Sequence, residues 1–332
     1  LDELESQGIL DNSLVFYIHS DNGASAEGMY GTIAELLAQN GVDYPVERQI
    51  EVLDRDYGGL DALGTPAVDN MYHHGWAWAT DTPLRSTKLI AAHFGGTRTP
   101  MVVSWPKVVE PDSVPRAQFH HVVDVAATIY DVLGIEPPAT FNGVEQDALN
   151  GVSMAPSFKD GGADTGQRTQ YFEIMGSRGV YHNGWFACAF GPRTPWVADM
   201  SGLGGWDPDE DVWELYNLDE DYSQANDLAG EMPDKLRELK DMFLVQAARN
   251  KVLPIGGGLY TVAYHPEEIR ASALTEWTLF EGQTRIAEPL APKFTSGFSS
   301  LATIEVEVPE GASGVLYCVG GIAGGFTAYM DG

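Results

Sequence analysis

The sequence predicts an α/β chain: the C-terminal part of a doubly wound sheet, then a small α+β subdomain, then an incomplete antiparallel β-sandwich. Three observations lead there. The apolar run "PMVVSWP" (100–106) is bracketed by prolines and followed by "FHHVVDVAATIYDVLGI", whose apolar residues recur at helical spacing. Between residues 169 and 218, short strand-like runs are separated by turn residues. Near the end, "ATIEVEV" alternates, turns at "PEGASG" and alternates again until the chain stops at Asp331-Gly332. The expected boundaries are 1–160, 161–255 and 256–332, and the chain reads as truncated at both ends.

In chain order, Leu14–His19 forms the first predicted strand and ends in Ser20-Asp21-Asn22-Gly23. The Gly- and Asp-rich stretch Gly41–Asn70 reads as a long functional loop or lid. Met101, Val102 and Val103 predict a buried strand. In the helix that follows, Phe119, Val122, Val123, Ala126, Ile129, Tyr130 and Leu133 share a face, and Gly134 is the C-cap. The polar "SFKDGGADTGQR" marks a boundary. Next come the strands "TQYFEI", "RGVYHNGWFACAF" and "DVWELYNL", with Asn183-Gly184 as a hairpin turn. A helix follows Pro233 and lines up Leu236, Leu239, Met242, Phe243 and Ala247.

Composition narrows the function classes. With 332 residues, 44% hydrophobic and 20% charged, the chain has material for about two domains and a core. The net charge of −29 argues against nucleic-acid binding, because phosphates are repelled. No apolar run is long enough to predict a transmembrane segment. The opening "LDELESQGIL" reads as a helix end and a turn, so any signal peptide is expected upstream of Leu1. Cys188 and Cys318 are expected to be packed thiols.

Asp21-Asn22 permits two readings. Asn22-Gly23 suits a type I′ hairpin turn. Equally, a carboxylate and an amide at the end of a buried strand suit Ca²⁺ or Mg²⁺. A hairpin needs a second alternating strand directly afterwards. "ASAEGMYGTIAELLAQNG" gives small residues and then a helical pattern (Ile33, Leu36, Leu37), which disfavours it. Lys88 precedes a Gly-rich turn into a strand and could present its ammonium to an anion, or be a solvated lysine. His93 is a second candidate beside a structural reading. Arg98 is expected in a buried ion pair. His120-His121 is expected to cap or pack a helix, and His182 precedes a hairpin turn. His73-His74 sits in the aromatic-rich "NMYHHGWAWATDTP" and reads as structural or as pocket lining.

"SDNG" after a strand, a lysine before "GGTRTPMVVSWP", then "FHHVVDVAATIYDVLGI" together resemble the C-terminal half of arylsulfatases, members of the alkaline-phosphatase-like superfamily. "GVEQDALNGVSMAPSF" and "YFEIMGSRGVYHNGWFAC" add to the likeness, which is nearest to large bacterial arylsulfatases with an extra C-terminal β-domain. The resemblance implies hydrolysis of a small-molecule or carbohydrate sulfate ester. A formylglycine nucleophile would come from a C/S-x-P-x-R motif, and Ca²⁺ (or Mg²⁺) would neutralise the sulfate oxygens. It implies Asp21 and Asn22 as metal ligands and Lys88 as a ligand of sulfate or the leaving oxygen. The spacing from Lys88 to Gly95 is about one residue longer than in lysosomal-type sulfatases, which makes His93 the fallback catalytic group.

The chain contains no C-x-P-x-R motif, and "CAFGPR" has the wrong spacing. The nucleophile, the other metal-binding aspartates and further active-site histidines are expected in a missing N-terminal part of the catalytic domain. The metal ligands equally suit a phosphomonoesterase or phosphonate monoester hydrolase of the same superfamily. A non-catalytic carbohydrate-binding protein is the third possibility. Because the chain lacks a nucleophile motif, these 332 residues alone are expected to show little or no hydrolysis of p-nitrophenyl sulfate. Appreciable turnover in a colorimetric assay contradicts this.

Overall fold

The protein is represented by a computed structural model that describes residues 1–29, 31, 33, 44–68, 71–164, 166, 168–197, 206–256, 303, 305, 307–321 and 324–331. It begins with a one-turn helix, α1 (Asp2–Ser6), and a 3-10 turn, as the opening residues suggest. The first strand, β1 (Val15–Ile18), follows. The stretch predicted as a long loop carries a helix, α2 (Val46–Val52), and two further helical turns. Next come α3 (His74–Asp81) and a four-residue helix, α4 (Phe94–Thr97). The second predicted strand is β2 (Met101–Ser104), and the helix after it is α5 (Val123–Leu133). A small hairpin, β3 (Thr140–Phe141) with β4 (Val144–Glu145), leads toward the sheet module.

The module is a four-stranded antiparallel meander: β5 (Thr169–Ile174), β6 (Ser177–His182), β7 (Trp185–Ala189) and β8 (Trp213–Asn217). The β6–β7 turn is Asn183-Gly184, with φ of +47° and +83°. Both residues are left-handed, as a type I′ turn requires. Alternation along β7 and β8 then gives the sheet two apolar faces. Val180, Ala187 and Leu215 meet Leu239, Phe243 and Ala247 of the long helix α6 (Pro233–Arg249). Phe186, Cys188 and Tyr216 pack instead on Ile90, Ala92 and Phe94. Through this second face the sheet supports the segment that follows Lys88.

Four expectations are corrected. β1 and β2 do not lie in a parallel sheet; they pair antiparallel with each other, Ile18 opposite Met101 and Val15 opposite Ser104. An antiparallel pair can leave one face open, and accordingly Tyr17 and Val102 are exposed rather than buried. Helix α5 is where its periodicity puts it, and Gly134 caps it at φ +64°, but Val122, Ile129 and Leu133 face outward. Its buried positions are polar: Asp124 pairs with Arg168 and accepts from the His121 and Val152 N–H groups. Burial alone raises the Asp124 carboxyl; these bonds and one to His120 outweigh it and hold it far below the usual range. Arg98 is exposed, with its guanidinium 5.8 Å from the Tyr222 ring centre, not in a buried ion pair. Cys188 is buried as expected, whereas Cys318 is exposed.

Cys318 lies in a hairpin, β9 (Gly314–Gly321) with β10 (Gly324–Met330), after the predicted "PEGASG" turn. Ala302, Ile304 and Val306 of "ATIEVEV", and Leu36 and Leu37 of the helix predicted after Gly23, lie outside the described residues. Among the described residues no helix is long and apolar enough to cross a membrane. The sheet–α6 core is the main apolar contact of the module, so Phe243→Ala is expected to cost about 3–5 kcal/mol. Urea unfolding checks this; a loss below about 1 kcal/mol contradicts the packing described.

Candidate active site

The segment after β1 turns sharply. Ser20 is left-handed at φ +74°, and its hydroxyl donates to the Asn22 carbonyl at 2.8 Å. Residues 23–29, directly after the turn, form no strand, so the hairpin reading of Asn22-Gly23 fails. Instead the chain is pressed against two distant segments. The Gly23 N–H donates to the Gly96 carbonyl at 3.1 Å, and a Cβ on Gly23 would sit 1.5 Å from the Gly95 carbonyl oxygen. Only glycine fits that approach. The Ala24 N–H is 3.1 Å from both Asp81 carboxylate oxygens, and the Lys88 N–H donates to the Ala24 carbonyl at 3.0 Å. Gly95 is equally crowded, since a Cβ there would meet the Arg85 and Ser86 carbonyls at 2.3 Å.

This stitching puts Asp21, Asn22 and Lys88 on one groove. The groove encloses about 2150 Å³, well beyond the roughly 300–1,000 Å³ of a small-molecule pocket. Asp21 is exposed and Asn22 half-buried. Their carboxylate and amide oxygens are the donors that hard divalent cations take. They fit such an ion as two of its about six to eight ligands, a partial shell. Lys88 Nζ lies 2.9 Å from Glu27 Oε2, which also accepts from the Ser25 hydroxyl at 2.6 Å. Burial raises the Glu27 carboxyl, but the bonds from Ser25 and Lys88 outweigh it and leave the group below its ordinary value.

His93 is elsewhere. It is 3% exposed and absent from the groove lining. Its Nδ1 is 2.8 Å from the Ser86 hydroxyl and its Nε2 is 3.0 Å from Glu214 Oε2. The same carboxylate oxygen accepts from the Tyr216 hydroxyl at 2.7 Å and lies 3.5 Å from Arg85 Nη1. Gln224 finishes the clamp: its Oε1 accepts from the Phe94 N–H at 2.8 Å and its Nε2 donates to the Ala92 carbonyl at 3.0 Å. Strand β8 and the turn after it thus hold the backbone between Lys88 and Gly96.

His93, Cys188 and Glu214 are the one trio of metal-ligating side chains found among the described residues. Hydrogen bonds to His93 and Tyr216 already use the Glu214 oxygen, and the Arg85 cation adjoins it. Burial, then Glu214, push the Cys188 thiol well up, away from the thiolate a metal requires. The trio is therefore a hydrogen-bonded network, not a metal centre.

Sequence reasoning singled out Asp21, Asn22 and Lys88, which share the groove, and did not single out Glu27, Asp81, Glu214 and Gln224. Ser25-x-Glu27, directly after Asp21-Asn22, was a local signal for a partner of Lys88. Glu214 and Gln224 carried no local signal.

Comparison with known proteins bears on the same segment. Residues 1–135 match the Sulfatase family model. The matched segment contains Asp21, Asn22, Lys88 and His93. An uncharacterized sulfatase of Schizosaccharomyces pombe is 27% identical over 256 residues, 76% of this chain. The chain spans 41% of the length of that sulfatase. Among solved structures, Ps i-CgsB is similar over 81% of this chain and 44% of its own, at 17% identity and a TM-score of 0.46. A Bacteroides thetaiotaomicron protein, BT33336S-sulf, is similar over 75% and 41%, at 20% identity and a TM-score of 0.43.

The buried clamp gives a pH prediction. Burial alone raises the Glu214 carboxyl, but bonds from His93 and Tyr216 and the charges of His93 and Arg85 pull it down from 4.5 to about 2. A depressed carboxyl contributes stability that is present above its unfolded value and is lost as pH falls from 4.5 through about 2. The contribution is on the order of 3 kcal/mol. Urea midpoints at pH 6, 4 and 3 are expected to fall less steeply with acid in Glu214→Gln than in the parent. Parallel acid profiles contradict the assignment.

Proposed function

We propose that this chain carries the cation- and sulfate-facing part of a sulfuric ester hydrolase, arylsulfatase-like in type, acting on a small-molecule or carbohydrate sulfate ester. The observation that carries the reading is the stitching of the Asp21-Asn22 turn to the Lys88 segment through Gly23, Ala24 and Gly95-Gly96. It sets a carboxylate, an amide and an ammonium on the same groove. The sulfatase-family match over residues 1–135 supports the same reading.

Each residue has a chemical role. Asp21 and Asn22 would hold Ca²⁺ or Mg²⁺ through oxygen. When bound, the cation supplies positive charge against the sulfate oxygens. Lys88 donates to a sulfate oxygen or to the leaving oxygen, where negative charge grows as the ester S–O bond breaks. Glu27 keeps the ammonium placed when substrate is absent. The ester is an anion meeting a chain of net charge −29, so these local positive groups must overcome the general field. His93 acts as a positioning residue: it joins Ser86 to Glu214 and shapes the turn after Lys88. The nucleophile, a formylglycine in the C/S-x-P-x-R context, belongs to sequence outside these 332 residues.

The test uses a protein in which this chain is joined to a C/S-x-P-x-R segment. Asp21→Ala is expected to lower bound calcium, read by elemental analysis, together with sulfate-ester turnover. Calcium content unchanged from the parent overturns the ligand assignment. Lys88→Met is expected to cost roughly 10²-fold in kcat/KM at unchanged calcium content. A loss under about threefold overturns the role given to Lys88.

A further inference from the structure

Helix α3 carries a cluster of rings that the site described above does not use. His73 and His74 stack with centroids 4.5 Å apart. His74 stacks on Trp196 at 6.3 Å, and Trp78 meets Trp196 edge-on at 5.8 Å. His74 and Trp78 are four residues apart, so they share one face of α3. Within this row Trp78 is 40% exposed, and beside it Tyr72 and Trp76 are 43% and 67% exposed. Exposed aromatic rings grouped in this way are apolar surface of the kind that marks a binding site.

The cluster is fixed to the Lys88 segment. At one end of α3 the His74 N–H donates to the Met29 carbonyl at 3.0 Å, and the Gly28 N–H donates to the Tyr72 carbonyl at 3.0 Å. At the other end Asp81 accepts from the Ala24 N–H. Helix α3 is thus tied at both ends to residues 24–29, the same loop that carries Glu27 to Lys88.

We propose that the His73–His74–Trp196–Trp78 row is a carbohydrate platform that takes sugar rings flanking the reacting sulfate ester. A pyranose presents a face of C–H bonds whose positive edges match the negative π faces of the indoles. This attraction is uncharged, which suits a chain of net charge −29 meeting an anionic saccharide. Polar contacts are at hand for hydroxyls. The His73 Nδ1 accepts from the Gly75 N–H at 3.0 Å, which leaves Nε2 as the ring donor. Burial, and then His74, keep His73 toward the neutral form that this tautomer requires.

The proposal rests on the sulfate-ester reading for the charge on the substrate, but its test does not need the cation, Lys88 or a nucleophile. Tryptophan fluorescence is titrated with hexasaccharides of a sulfated galactan, of heparin and of chondroitin sulfate, each beside its desulfated form, and with naphthyl sulfate. Saturable quenching by at least one hexasaccharide in both forms is expected. Trp78→Ala and Trp196→Ala are expected to weaken it at least tenfold with an unchanged circular dichroism spectrum. Trp78→Phe, which keeps a ring face, is expected to retain most of the affinity. The proposal is overturned if no hexasaccharide binds, if only naphthyl sulfate binds, or if both alanine variants bind like the parent. An Asp21→Ala protein that keeps its calcium would sink the metal assignment and leave this result untouched.

Discussion

Gly23 and Gly95 approach so closely that a Cβ on the first would lie 1.5 Å from the carbonyl of the second. Everything proposed for the groove depends on that contact. Asp21 and Asn22 sit two and one positions before Gly23, and Lys88 sits seven before Gly95. Without the contact, the strand end and the lysine would be separate surface features. With it, the Gly23, Ala24 and Lys88 N–H groups are consumed in cross-segment bonds. A side chain at Gly23 would need the Gly95 backbone to move, and Gly95 is itself wedged against the Arg85 and Ser86 carbonyls.

The second support comes from the sheet module. One face of the meander is closed by α6 and the other by Ile90, Ala92 and Phe94. The polar side of this packing is the Arg85–Glu214–His93–Ser86 chain, with Gln224 bonded to two backbone groups of the same segment. A buried network of this kind is costly when half satisfied and rigid when complete. Here it fixes the backbone that presents Lys88, although none of its members lies beside Asp21. The module is thus part of how the site is held.

Much of this was legible in the residues. Asn183-Gly184 demanded a hairpin because two left-handed residues in a row suit little else, and α6 followed from Pro233 and an apolar stripe. Asp21, Asn22 and Lys88 could be singled out because their order with the Gly-Gly turn and the strand after it resembles that of arylsulfatases. What periodicity could not supply was the partner of each apolar face. Val122, Ile129 and Leu133 repeat correctly for a helix, yet α5 turns Asp124 and Thr128 inward because Arg168 and the Val152 and Met154 N–H groups satisfy them. Likewise β1 and β2 were recognisable as strands, but their antiparallel pairing is a property of register and not of composition. Glu214 was illegible for another reason: it meets His93 across 121 positions, and no local pattern encodes such a contact.

On the reading proposed, the strand end at Asp21-Asn22 and the ammonium of Lys88 form one cation-and-sulfate site. A crystal structure of the protein grown with calcium and sulfate tests it most directly. The account predicts a calcium ion about 2.3–2.6 Å from oxygens of both Asp21 and Asn22, with sulfate between that ion and Lys88 Nζ. Calcium and sulfate ordered elsewhere, or Asp21 and Asn22 left without an ion under saturating calcium, would contradict it.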